Sequence, residues 1–224
     1  MLAGISCPEG YDLKTKLHFV ITAGGVREYI DPVRFISNAS SGRMGYRLAE
    51  AAIQAGHKVT LITAATNLAT PKKAKTIKVQ TSEDMFIAVK DRFESCDCLV
   101  MAAAVSDYKP AKKSKTKIKK GKAKLTIKLK PTKDILKWAG LKNKKLKSKK
   151  IVAGFALEDK NLRKNAEQKL KSKNLDIIIA NKPEAIGSSN STVQIKAAGA
   201  KWLTLPTTTK RTVAKKIIRL IEKL

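Results

Sequence analysis

The chain has 224 residues, 43% of them hydrophobic, enough for a sizeable core in one large domain or two small ones. No apolar run approaches the ~18 residues of a membrane span. Three cysteines without a CxxC pair (Cys7, Cys96 and Cys98) argue against a disulfide scaffold or a zinc site and fit a reducing, cytoplasmic setting, while a formal charge of +29 suits polyanionic partners.

Residues 1–16 carry Pro8 and Gly10, show no period and lack a basic region followed by an apolar core, so they read as a tail or linker remnant without a signal peptide. A single domain is expected over residues 17–224. Leu17 to Ile21 is short and apolar, as in a buried strand, and runs into Gly24 and Gly25. A polar excursion through Arg27, Asp31, Arg34 and Asn38 follows. Ser40-Ser41-Gly42-Arg43-Met44-Gly45 then opens a helical stripe (Met44, Leu48, Ala51, Ala52, Ala55) that Gly56 stops. Val59 to Ile62 reads as a second strand, Ser82 to Phe93 as a helix capped by Ser82, and Cys98 to Ala104 as a third strand. This alternation predicts right-handed crossovers and a Rossmann-like α/β fold with a doubly wound, mostly parallel sheet.

The pattern changes after Ser106. Lys109 to Lys150 holds nineteen lysines, one acid (Asp134) and no arginine. The lysines are not interleaved with aromatics as in a nucleic-acid groove, so most read as solvated surface. Residues 106–122 are expected to be mobile, and Lys124 to Lys130 alternates with period two, as in an inserted antiparallel arm with one wet face. Thr132 is expected to cap a helix through Trp138. Ile151 to Phe155 reads as a strand, Asn161 to Lys173 as a helix and Asp176 to Ala180 as a strand. Val193 to Lys196 and Trp202 to Leu205 read as a closing hairpin, followed by a final helix from about Thr208.

A dinucleotide site is disfavoured. Gly24-Gly25-Val26-Arg27 is not GxGxxG, and the second strand ends in Thr63-Ala64-Ala65-Thr66-Asn67, without an acid for a ribose hydroxyl. The helix start Ser40 to Gly45 offers hydroxyls, free N–H groups and a cation for a triphosphate, or else an ordinary Ser-capped helix with Gly45 for close packing. Asn38 is either a turn residue or a neutral group directed at a reacting centre, and Arg34 either a surface ion pair or an anion fork. Small residues Ala102 to Ala104 end a strand, with Asp107 just beyond, where ligands approach a parallel sheet. Lys117, in Lys117-Ile118-Lys119-Lys120, is solvated or closes over a polyphosphate. Lys169 and Lys173 share a helix face, and Phe155 ends a strand where it packs in the core or borders a base.

Together the stretches ITAGG-VRE-YIDPVRFISNASSGRMG, AAAVSDYKP, KIKK, GFALE and QKLKSKNLDIIIAN, in this order, resemble phosphopantothenoylcysteine synthetase over nearly everything from Leu17 onward. The resemblance implies a ligase of coenzyme A biosynthesis. The carboxylate of 4′-phosphopantothenate would attack the α-phosphate of CTP, with Mg²⁺ screening the triphosphate, and L-cysteine would then displace CMP from the acyl-cytidylate. It implies catalytic roles for Asn38, Lys117 and Arg34. Nucleotide contacts would fall on Ala103, Asp107, Lys117, Lys133, Asp134, Ile135, Leu136, Phe155, Lys169 and Lys173, beside Ser40, Ser41, Gly42 and Gly45. It further implies a homodimer whose partner arm completes each site, and a phosphopantothenoylcysteine decarboxylase as a separate partner. The alternative for the +29 charge, a nucleic-acid-binding module on the same fold, predicts salt-steep, sequence-tolerant binding.

Overall fold

The computed structural model describes residues 16–122 and 124–224. The stretch read as a tail therefore lies outside the described residues, Lys16 excepted. The elements run β1 (His18–Ala23), β2 (Arg27–Tyr29), β3 (Phe35–Ser37), α1 (Arg43–Gln54), β4 (Lys58–Thr63), β5 (Lys75–Lys78), α2 (Ser82–Phe93), β6 (Cys98–Met101), β7 (Tyr108–Pro110) and β8 (Leu129–Pro131). They continue with α3 (Ile135–Lys145), β9 (Ile151–Leu157), α4 (Leu162–Ser172), β10 (Ile177–Asn181), β11 (Asn190–Ala197), β12 (Leu203–Thr209) and α5 (Lys210–Ile221).

Eight strands form one sheet in the order β12-β11-β10-β9-β6-β1-β4-β5. The inner strands are parallel, and β11 and β12 close one edge as an antiparallel pair. Successive residues of a strand point to opposite faces, so β1 divides the core in two. Phe19 and Ile21 meet Leu48, Val213 and Ile217 of α1 and α5 on one face. Val20 meets Met85, Phe93, Ala139 and Leu170 of α2, α3 and α4 on the other. The doubly wound α/β sheet expected from the alternation is the one observed.

Local chemistry shifts several boundaries. Thr81, not Ser82, caps α2, in a reciprocal box with Asp84. Asp134, not Thr132, caps α3 by accepting from Lys137 N–H at 2.9 Å. Strand β6 stops at Met101, three residues short of Ala104, because Ala102 to Ala104 turn off the sheet to meet the loop after β1: Ala104 N–H donates to Gly24 O (2.9 Å) and Val26 N–H to Ala104 O (3.2 Å). The alternating run Lys124 to Lys130 is not a strand over that length. Only Leu129 to Pro131 pairs, with β7, and among the described residues Leu125 stays exposed. The excursion contains a short ribbon, β2 with β3, and β5 is a sheet edge; both are strands too short or too lysine-flanked for period-two patterning to reveal.

Candidate functional site

Strands β6, β9 and β10 deliver their carboxyl ends to one open cleft, a cavity of about 650 Å³. In a parallel sheet this is where loops can be varied without disturbing the core. Asn38 comes to its wall from β3. Its Nδ2 donates to Val105 O at 3.3 Å, which leaves Oδ1 and the second amide hydrogen available to a ligand.

Ser40, Ser41 and Gly42 line the same wall, but no serine caps α1. Gly42 stands at the cap with φ 75°, a left-handed backbone that glycine adopts at little cost, and no side chain accepts from the first turn. Ser40 Oγ instead accepts from Gly42 N–H at 3.3 Å. The helix therefore begins with uncapped N–H groups at the cavity, an arrangement suited to an anion. Gly45 does something else. It is buried outside the cavity lining, where a Cβ would stand 2.5 Å from Ala23 Cβ and 2.8 Å from Thr22 O, so the glycine lets α1 pack onto β1.

Ala103 and Asp107 line the opposite lip; Thr22 Oγ1 accepts from Ala103 N–H at 3.1 Å and holds that loop. Lys133, Asp134, Ile135, Leu136, Phe155, Lys169 and Lys173 also line the cavity. Their charges are engaged. Lys133 Nζ lies 2.8 Å from Glu83 and over the Phe86 ring, Lys169 Nζ lies 2.6 Å from Glu158, and Lys173 Nζ lies 2.9 Å from Asp134. Burial pushes the Glu158 carboxyl up, but hydrogen bonds from Lys169 and Asn165 prevail and hold it below the usual range.

Two residues expected at the site are elsewhere. Arg34 is gripped by Asp31: its Nε donates to Oδ2 at 3.0 Å, and its Nη2 donates to Ile118 O as well. The buried Asp31 carboxylate also accepts from the backbone N–H groups of Val33 (2.8 Å), Arg34 (2.7 Å) and Ile118 (3.1 Å). Burial opposes ionisation here, yet the hydrogen bonds bring Asp31 down to about 2. Lys117, next to this clasp, is exposed and outside the cavity lining. Sequence reading missed Asn181, Ala185 and Lys210, which line the cavity. For Lys210 a signal existed: a lysine directly after the capping Thr209 sits at the positive end of a helix, where cations are disfavoured.

Cys96 and Cys98 are buried and lie outside the cavity lining. Burial pushes Cys96 up to about 12 and Cys98 well above the ordinary thiol range. Among the described residues no group of three or more His, Cys, Asp or Glu side chains is placed to hold a metal, and no helix is long and apolar enough to cross a membrane.

Comparison with known proteins gives a consistent family. The family model "DNA/pantothenate metabolism flavoprotein C-terminal domain" matches residues 14–224. The chain is 45% identical over 172 residues to the coenzyme A biosynthesis bifunctional protein CoaBC of Bacillus subtilis, covering 76% of this chain and 41% of that protein. It is 41% identical over 212 residues to the CoaBC protein of Borreliella burgdorferi, covering 93% and 53% respectively. The chain thus spans about half the length of these relatives or less. Among solved structures, the C-terminal domain of a CoaBC protein superposes with a TM-score of 0.80 at 34% identity, covering 94% of this chain and 96% of that one. With fold and sequence in agreement, the chain belongs to the family of the DNA/pantothenate metabolism flavoprotein C-terminal domain.

Proposed function

We propose that residues 17–224 form a phosphopantothenate–cysteine ligase that works through an acyl-cytidylate. The observation that supports this most is convergence. Asn38, the uncapped start of α1, Asp107, Lys133 to Leu136, Phe155, Lys169 and Lys173 come from separate stretches of the chain and line one cavity. Similarity to the C-terminal domain of a coenzyme A biosynthesis protein supports the chemistry.

A carboxylate is a poor acyl donor at neutral pH, so joining it to an amine needs activation. In the first half-reaction a carboxylate oxygen of 4′-phosphopantothenate forms a bond to the α-phosphorus of CTP, and the bond to pyrophosphate breaks. In the second, the cysteine nitrogen attacks the acyl carbon and loses a proton, and the bond to CMP breaks. Charge develops on phosphate oxygens first and on the acyl oxygen second. The first-turn N–H groups of α1 suit the former and the Asn38 amide the latter. Mg²⁺ would arrive with the triphosphate and need few protein ligands; Asp107, which lines the cavity and forms no ion pair among the described residues, offers one carboxylate. Bound there, Mg²⁺ would neutralise charge on the triphosphate.

The same reading makes the protein a homodimer. Val33, Phe35, Tyr108, Leu125 and Leu129, exposed by 57, 40, 55, 59 and 46%, all lie on or beside the two small ribbons. A second copy would cover that apolar patch and bring its Lys117 over the first copy's cavity. Arg34 then acts by shaping the loop that carries Lys117 and not by touching the acyl group. A decarboxylase, as a separate chain or a preceding domain, would consume the amide product.

Incubation with CTP, 4′-phosphopantothenate, L-cysteine and Mg²⁺, followed by mass spectrometry, tests the proposal. Phosphopantothenoylcysteine, CMP and pyrophosphate in equal amounts are expected. Absence of the amide with every nucleoside triphosphate would remove the ligase reading.

A further inference from the structure

The two sides of the cavity treat positive charge differently. On the α3 and α4 side, Lys133, Lys169 and Lys173 each face a carboxylate at 2.8, 2.6 and 2.9 Å. On the α1 and α5 side, Arg43 and Lys210 form no ion pair among the described residues. Both lean on the turn after β10 and meet only carbonyls: Lys210 Nζ donates to Ala185 O at 2.9 Å, and Arg43 Nη1 donates to Gly187 O at 3.1 Å.

Lys210 is only 8% exposed, and three effects act against its charge. It is buried, it opens a helix and so sits at the positive end of the dipole, and it has Arg43 as a like-charged neighbour. Burial first, and the Arg43 charge after it, hold the ammonium below the ordinary lysine range. One carbonyl also leaves two of its three donors unused. A buried cation in the cavity wall, with no acid paired to it among the described residues, is an anion site in waiting.

We propose that Lys210 and Arg43, beside the uncapped first turn of α1, form the phosphate subsite of the cavity. The ligand is a substrate phosphate, either the triphosphate of the nucleotide or the phosphate ester of 4′-phosphopantothenate. The identity of these ligands rests on the ligase reading, whereas the phosphate subsite itself does not. Phosphate is thereby assigned to the α1 and α5 side, and Lys169 and Lys173, already paired, shape the opposite wall.

Isothermal titration of the full chain with Mg–CTP, 4′-phosphopantothenate and inorganic pyrophosphate, each alone and at two salt concentrations, tests this. Lys210→Met should weaken Kd for the subsite's ligand by about 10- to 100-fold, the worth of one charge-assisted hydrogen bond. Its salt dependence should flatten, and Lys210→Arg should recover most of the affinity. Arg43→Gln, at an exposed side chain, makes the same test without touching a buried group. Weakening of CTP and pyrophosphate alone would assign the triphosphate; weakening of 4′-phosphopantothenate alone would assign the ester. No binding of any phosphate ligand by the wild type, or unchanged affinities in both variants, would overturn the subsite. A chain that binds phosphate through these residues yet makes no amide keeps the subsite and loses the ligase reading; amide formation with unaltered binding in both variants is the reverse.

Discussion

Asn38 owes its place to a short ribbon and one hydrogen bond to Val105 O at 3.3 Å, and little else restrains its amide. Such a side chain suits an acyl oxygen that changes charge during reaction. Asn38→Ala is expected to release pyrophosphate at nearly the wild-type rate while the second half-reaction slows by about 10²- to 10³-fold. Acyl-cytidylate should then accumulate in quenched samples read by mass spectrometry; normal amide formation would remove Asn38 from the chemistry. At this scale the sequence was legible where a residue type is unusual for its context. Asn38 and the Ser40 to Gly45 helix start stood out, although the cap fell on Gly42 and not on a serine, whereas Lys210 was one of 47 basic residues. For Arg34 the ion-pair alternative is the one observed: Asp31, three residues earlier, takes the guanidinium.

Two elements are held by single features. Asp31, through its carboxylate, accepts three contacts from Val33 and Arg34 within the excursion and one from Ile118 N–H, which ties the excursion to that loop. Its folded carboxyl lies at about 2, below the ordinary 3.8, so its contribution is complete above the ordinary carboxylate range and is lost as pH falls towards 2. Asp31→Ala should show at neutral pH what the wild type shows only in that acid window: faster hydrogen exchange at the Arg34 and Ile118 amides. Unchanged exchange would mean that the loop is held by other contacts. For α1, Gly45→Ala would drive a methyl into Ala23 and Thr22. A loss of about 1–3 kcal/mol is expected in urea titration, because a well-packed helix–strand contact tolerates added volume poorly. Helices and buried strands were readable because their periods reflect burial. Strand ends and the ribbons were not, since the Ala102 to Ala104 turn depends on Gly24 and Val26, distant in sequence, and the caps fell on Thr81 and Asp134, one and two residues from the candidates read as caps.

For the whole molecule, the doubly wound sheet brings residues from β3 to α5 to one cleft and leaves Phe35, Tyr108 and Leu129 of the two ribbons exposed. Phe35→Lys with Leu129→Lys should convert a dimer to a monomer in light scattering and abolish ligation. Mixing Asn38→Ala with Lys117→Gln adds a direct test of sharing. If Lys117 serves the partner's cavity, mixed dimers hold one intact site and activity returns on mixing; if no activity returns, each chain uses its own arm. The alternation of elements foretold the sheet, but the convergence of stretches on one cavity emerges only when the crossovers are closed.

Activation of the acid as an acyl-cytidylate leaves an isotopic trace. It is tested most directly with 4′-phosphopantothenate carrying ¹⁸O in its carboxylate. Attack of that oxygen on the α-phosphorus, then departure of CMP from the acyl carbon, predicts one ¹⁸O in the CMP of each turnover and none in pyrophosphate. Unlabelled CMP, or label in inorganic phosphate released with CDP, would contradict the account.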